Sequence, residues 1–187
     1  MSPQFFTIFL RLIEPNHKKT MKKLTVLCAP VIAIALTSFG ITASAQSVRN
    51  EKNISLELAN QIASASVVAC AANGYAVTAT VVDRAGTVRA VQRGDTAGPH
   101  TLDASRQKAF TSASAKNTTL AMMEGSQKNP AAANLVFIPG YLLLGGGVPI
   151  KVGNETIGAV GVGGAPSGNL DEQCALSAIE KVKDQLK

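Results

Sequence analysis

Few side chains between Gln46 and Lys187 are of the types that do acid–base, nucleophilic or metal chemistry. One histidine, His100, stands there after Gly98-Pro99, with two cysteines, Cys70 and Cys174. A lone histidine excludes a His-rich zinc site, which needs several ligands converging on one ion. No Gly-x-Ser-x-Gly elbow is present, and the apolar helical context of Cys70 suits a buried sulfur rather than an activated thiolate. Asp83, Asp95 and Asp103 are carboxylates a hydrolase could pair, but turns and a helix start account for each of them. The glycines build no phosphate cradle. Gly161-x-Gly163 would need a further glycine at 166, where Pro166 stands, and no Gly-Lys-Ser/Thr follows Gly145-Gly146-Gly147. Chain reversal and close backbone approach explain them better. An evolved acid–base or nucleophilic centre is therefore not expected.

The elements that position these residues start after a leader. Lys22 and Lys23 open Met21–Gln46, Leu24–Leu36 is mostly apolar, and Ala43-Ser44-Ala45 supplies the small residues of a cleavage site. This is the pattern of a secretory signal over 1–45, with the true start at Met21 and cleavage after Ala45. Residues 1–20 read as sequence ahead of that start, the alternative being an extended targeting region. The apolar run falls short of the about 20 residues a membrane span requires. Too little apolar sequence precedes Cys28 for a lipid-anchor cysteine, so no membrane anchor is expected and the location is periplasmic or secreted. Residues 46–53 read as a flexible tail and 54–187 as one domain. Five of the eighteen Lys/Arg and one of the twelve Asp/Glu lie within 1–45, so the remainder carries thirteen basic against eleven acidic side chains. With no basic run, nucleic acid is not an expected partner.

Ser55 is placed to cap a helix over Leu56–Asn73, with Glu57 in the first turn and Gly74 as the stop. Ala76–Val82, the turn Asp83-Arg84-Ala85-Gly86 and Thr87–Arg93 read as a hairpin. Thr101–Ala115 reads as a helix with Leu102, Ala109 and Phe110 inward. A short helix capped by Asn117 or Thr118 should run to Glu124 and end at Gly125 and Pro130. Leu135–Ile138 reads as a short strand. Val148–Val152 and Thr156–Val162 form a second hairpin about Gly153-Asn154-Glu155. A last helix begins near Ser167 or Asn169, with Asp171 and Glu172 in its first turn and Ala175, Ile179, Val182 and Leu186 inward.

Helix, hairpin, helices, hairpin, helix is an α+β order with helices packed on an antiparallel sheet. If the first strand neighbours the last in antiparallel sense, Cys70 and Cys174 meet at adjoining helix ends. Export to an oxidising compartment agrees with a bridge between them. Two buried thiols serving as small hydrophobes are the alternative. The scarcity of aromatics and the density of Ala, Val and Gly fit a surface partly covered by sister subunits, hence a homo-oligomer.

Two stretches carry a family resemblance over most of 54–187: TVVDRAGTVRAVQRGDTAGPHTLDASRQKAFTSA and GGGVPIKVGNETIGAVGVGGAPSGNLDEQCA. The chain resembles the GlcG/HbpS-type haem-binding, haem-degrading family. The resemblance implies a profilin-like antiparallel sheet of about five strands with helices on it, assembly into oligomers, and haem binding linked in some relatives to haem breakdown and redox sensing.

Haem requires an apolar slot, an iron ligand and partners for two propionates. His100 is the first candidate iron ligand on this reading, with Tyr141 the next; Met122 and Met123 are better read as core fillers. Arg89, Arg93, Arg106 and Lys108 are the cations available for propionates, Arg106 and Lys108 foremost because Lys108 lies in the family-like segment. The missing Cys-x-x-Cys-His excludes covalent attachment, leaving noncovalent haem b. The expected function is an exported haem-binding protein that stores, transfers or senses haem, any breakdown being oxidant-driven. The alternative is a periplasmic interaction or sensory module that binds a partner protein or small metabolite without haem. A sensor protein is a possible partner on either reading.

Overall fold

A computed structural model of the protein describes residues 47–187; the expected leader over 1–45 lies outside them. Helix α1 spans Leu56–Ala71, and Ser55 caps it, its Oγ accepting from the Leu58 N–H at 3.2 Å. Strands β1 (Thr78–Asp83) and β2 (Val88–Arg93) follow as a hairpin. Asp83 Oδ1 shapes their turn by accepting from the N–H groups of Ala85 and Thr87, at 2.9 and 3.0 Å. Helix α2 (His100–Ala115) and helix α3 (Thr119–Lys128) come next. Strands β3 (Gly147–Val152) and β4 (Glu155–Gly163) form the second hairpin, and helix α4 (Gly168–Lys181) closes the chain.

The sheet has the order β2-β1-β4-β3, every neighbouring pair antiparallel, with Thr78 opposite Gly163 and Val82 opposite Ala159. First strand beside last is the condition on which Cys70 and Cys174 are expected to meet. The strand count is corrected from about five to four. Leu135–Ile138, the expected extra strand, falls instead at the end of a 3-10 helix over Pro130–Phe137. Pro130 starts that turn without needing a donor, and the Asn129 side chain accepts from Ala131 N–H at 3.0 Å, which favours helical over extended backbone. Helix α3 also runs past Gly125 to Lys128, because a single exposed helical glycine costs only about 1 kcal/mol.

Helices α1 and α4 cover one sheet face, burying Ile62, Ala63, Val81, Val160, Val162 and Ala175 in the main core. Helix α2 covers the other face; of the residues expected inward, Ala109 is buried and Phe110 half-buried, but Leu102 is not. Leu102 is 46% exposed, whereas Thr101, Ser105, Lys108, Ala109 and Ser112 are buried. The cause is proximity. A Cβ on Gly161 would lie 2.1 Å from the Ser105 carbonyl oxygen, and one on Gly147 would lie 2.4 Å from that of Lys108. Only small or hydrogen-bonded side chains fit so narrow a gap. Thr78 and Thr101 hydroxyls share a hydrogen bond of 2.6 Å, and those of Thr80 and Ser105 one of 2.7 Å.

Cys70 and Cys174 form a disulfide between α1 and α4, with Cα atoms 5.4 Å apart and a sequence separation of 104. The segment just before α1, placed in the frayed tail by the sequence, is tied down. Arg84 donates to the Lys52 carbonyl at 2.9 Å and to Glu155 at 2.8 Å, and the Ile54 N–H donates to the Ile157 carbonyl at 3.1 Å.

Two stability outcomes follow from this packing. Gly161→Ala should cost about 3 kcal/mol or prevent folding, since overpacking here meets backbone and no flexible side chain can yield. Thermal melting alongside Gly125→Ala, where the added methyl meets no atom within 4 Å and the backbone is helical, separates crowding from a general glycine effect. Replacing both cysteines by serine should lower unfolding stability by about 2–5 kcal/mol, because a long loop is no longer closed in the denatured chain. The denaturant midpoint of that variant against the oxidised protein measures it.

Candidate functional site

Helix α2 covers β1 and β4 but leaves the β2 flank of the same sheet face open. Val91 lies opposite Thr80 in register, so both point to the α2 side. Val88 and Val91, each 43% exposed, meet Leu102, Asp103 and Arg106 of α2 over a floor at Thr80. These six residues enclose an open groove of about 310 Å³, at the lower end of small-molecule sites. Its walls are apolar, and its charges are one carboxylate and one guanidinium.

Those two charges face each other. Arg106 donates to Asp103 Oδ1 from Nε at 3.1 Å and from Nη2 at 2.8 Å, and Gln107 Nε2 donates to Oδ2 at 2.5 Å. The Arg106 guanidinium, followed by the Gln107 amide, holds the Asp103 carboxyl below the usual carboxylate range.

One turn beyond Arg106, the Phe110 ring meets the glycines of two turns. A Cβ at Gly86 would be 2.7 Å from the ring, and one at Gly140 would be 3.2 Å from it. Tyr141 packs edge-on against Phe110 with ring centroids 6.2 Å apart, and its hydroxyl donates to Ser114 Oγ at 3.0 Å. Tyr141 thus sits toward the C-terminal end of α2.

His100 sits at the opposite end, as the exposed first residue of α2, its ring lying over Gly98. Ser114 is about 21 Å along the helix axis from His100 at 1.5 Å per residue. The two candidate iron ligands therefore do not converge within one chain; Arg106 lies between them. Met122 and Met123 are half-buried on α3, away from this helix strip. Arg93 is spent on the Ala97 carbonyl.

Lys108 is corrected as a propionate partner. It is 1% exposed and faces the sheet, its Nζ donating to Asp171 Oδ2 at 2.7 Å and to the Val162 carbonyl at 2.9 Å. Asp171 Oδ1 accepts from the Ala165 N–H at 2.9 Å. Burial raises the Asp171 carboxyl, while the Lys108 ammonium and backbone N–H groups pull it back. The pair pins α2, β4 and α4 together, and Lys108 is not free to meet a ligand. Sequence reasoning missed it because an acid in a helix's first turn is already explained by the dipole.

Glu172 is the second missed group. It is 9% exposed, and its Oε2 has no hydrogen-bond partner. Desolvation raises its carboxyl above the ordinary value, offset in part by the N–H groups of Gly146 and Leu120 and by Thr118 at the start of α3; Glu124 adds to the rise.

An antiparallel α+β sheet protein with an open, apolar groove flanked by one helix is the class these features define. The chain belongs to the HbpS-like family of haem-degrading proteins, whose family model matches residues 54–180. Among solved structures it is similar to a double mutant of Streptomyces reticuli HbpS, at 34% identity and a TM-score of 0.68, over 84% of this chain and 99% of that one. Klebsiella pneumoniae protein ORFY is similar at 29% identity and a TM-score of 0.68, over 72% of this chain and 93% of the other. PduOC, solved as a haem complex, shares the fold at 23% identity and a TM-score of 0.61, over 68% and 94% of the two chains. No curated protein matches the sequence.

The raised Glu172 carboxyl sets a pH dependence. A folded-state value above the unfolded one contributes stability that is complete below the ordinary glutamate range and is lost as pH rises through the folded value. Asp171 moves in the same direction, so Glu172→Gln isolates one of the two. Its melting temperature relative to the parent should rise steadily from pH 4 to pH 7. A constant offset across that range would mean that Glu172 titrates as an exposed acid does.

Proposed function

We propose that this protein binds haem b noncovalently along the groove strip of α2, with Arg106 facing a propionate and His100 or Tyr141 reaching the iron. Membership in the HbpS-like family carries this reading. The groove adds chemical support: Val88, Val91 and Leu102 supply apolar surface for a porphyrin, and Arg106 is the cation at its edge. Since His100 and Tyr141 lie at opposite ends of α2, one chain supplies at most one of them. A second axial ligand would come from solvent or from another copy, which fits a homo-oligomer with the site at or near its interface.

The protein on this reading is exported by the leader over 1–45 and resides in the periplasm or outside the cell. The Cys70–Cys174 bridge suits an oxidising compartment. There it would store, transfer or sense haem. With Asp103, the carboxylate of the groove, tied to Arg106 and Gln107, haem breakdown would be driven by oxidant and not by a residue of this chain.

The alternative, a module that binds a partner protein such as a sensor without haem, has one observation in its favour. Val136, Phe137 and Ile138 are 51%, 79% and 41% exposed in a row, an apolar strip of the kind that marks interaction surfaces.

Titrating the purified protein with hemin separates the two. A shifted Soret band saturating at micromolar hemin is expected, with His100→Ala or Tyr141→Phe altering its position and Arg106→Gln weakening affinity. A flat titration removes haem and leaves the partner-binding module.

A further inference from the structure

The groove's two charges are engaged with each other, and the manner of that engagement bears on which ligands it accepts. Arg106 and Asp103 are one helical turn apart, and their side chains are 45% and 64% exposed. An exposed pair of this kind contributes only about 0.2–1 kcal/mol, so it exchanges readily. The buried Lys108–Asp171 pair, 2% and 4% exposed, does not. The guanidinium presents a planar fork that fits any carboxylate, that of Asp103 or that of a ligand.

Losing Arg106 would not strand Asp103. Its Oδ2 keeps the Gln107 amide at 2.5 Å, and it stands in the first turn of α2, where the helix dipole favours negative charge. Exchange therefore trades one guanidinium–carboxylate contact for another and leaves the displaced acid satisfied. A ligand without a carboxylate has nothing to trade and would meet an apolar groove edged by a neutralised pair.

We propose that Asp103 is an internal stand-in carboxylate that occupies Arg106 until a ligand's own carboxylate replaces it. This makes the groove selective for flat apolar ligands that carry a free carboxylate. Asp103 is on this account a specificity-determining residue: it lowers affinity for every ligand that uses Arg106 and leaves neutral analogues untouched. The inference rests on the haem reading and is written for its propionates.

The experiment compares iron protoporphyrin IX with its dimethyl ester, titrated into the wild-type protein, Asp103→Asn, Arg106→Gln and the double variant at low ionic strength. Asp103→Asn should tighten the free acid by about two- to fivefold, the ratio equivalent to an exposed ion pair, and leave the ester unchanged. Arg106→Gln should weaken the acid, and Asp103→Asn should add nothing on top of it. Circular dichroism melts within a few degrees of wild type confirm folding, as both residues are exposed. Equal changes for acid and ester, or none for either, would overturn the stand-in role while haem binding stood. A wild-type protein that bound neither porphyrin would overturn the haem reading and this inference with it.

Discussion

The distance between α2 and β4 governs the molecule. At Gly161 and Gly147 there is no room for even a methyl group between the sheet and the carbonyls of Ser105 and Lys108. A helix held that close cannot bury leucines against the sheet, so its inner side is threonine, serine, alanine and one lysine, each hydroxyl and the ammonium paired. Leu102, the large apolar side chain in the helix's first turn, is turned outward to the open β2 flank. The groove is thus a by-product of close packing: side chains that the interface excludes become its wall.

The buried pair of Lys108 and Asp171 belongs to the same constraint. Its Coulombic attraction is set against a large desolvation cost, so its net contribution to stability is modest. What it fixes is position. Lys108 reaches both the Val162 carbonyl and the first turn of α4, which aligns α2, β4 and α4 and sets where Arg106, two residues earlier, emerges. The contrast within one helix is instructive. Two adjacent turns carry an inaccessible ion pair that holds the fold and an accessible one that a ligand can enter.

Much of this was legible in the sequence. The Ser55 cap, both hairpins and the Asp83 turn rest on short-range chemistry with few alternatives, and the Cys70–Cys174 bridge was legible on the condition that β1 pairs with β4. Arg106 was named as a candidate cation, and it lines the groove. Illegible were features set by contacts distant in sequence. Nothing local distinguishes Lys108, inside the fold, from Arg106, outside it. The periodic apolar signal found Ala109 but turned Leu102 inward on α2, because it assumes that burial is hydrophobic when here it is decided by clearance. Leu135–Ile138 has the composition of a strand, but Pro130 and Asn129 set its backbone helical before any sheet edge is offered.

The disulfide has a topological result apart from its energetics. Cys70 and Cys174 enclose both hairpins, α2, α3 and the exposed stretch from Pro130 to Ile138 in one covalent ring. A protease that cut that stretch would open the ring without releasing a fragment. Both pieces would stay tethered through sulfur, and the nicked domain would keep its mass until a reductant arrived.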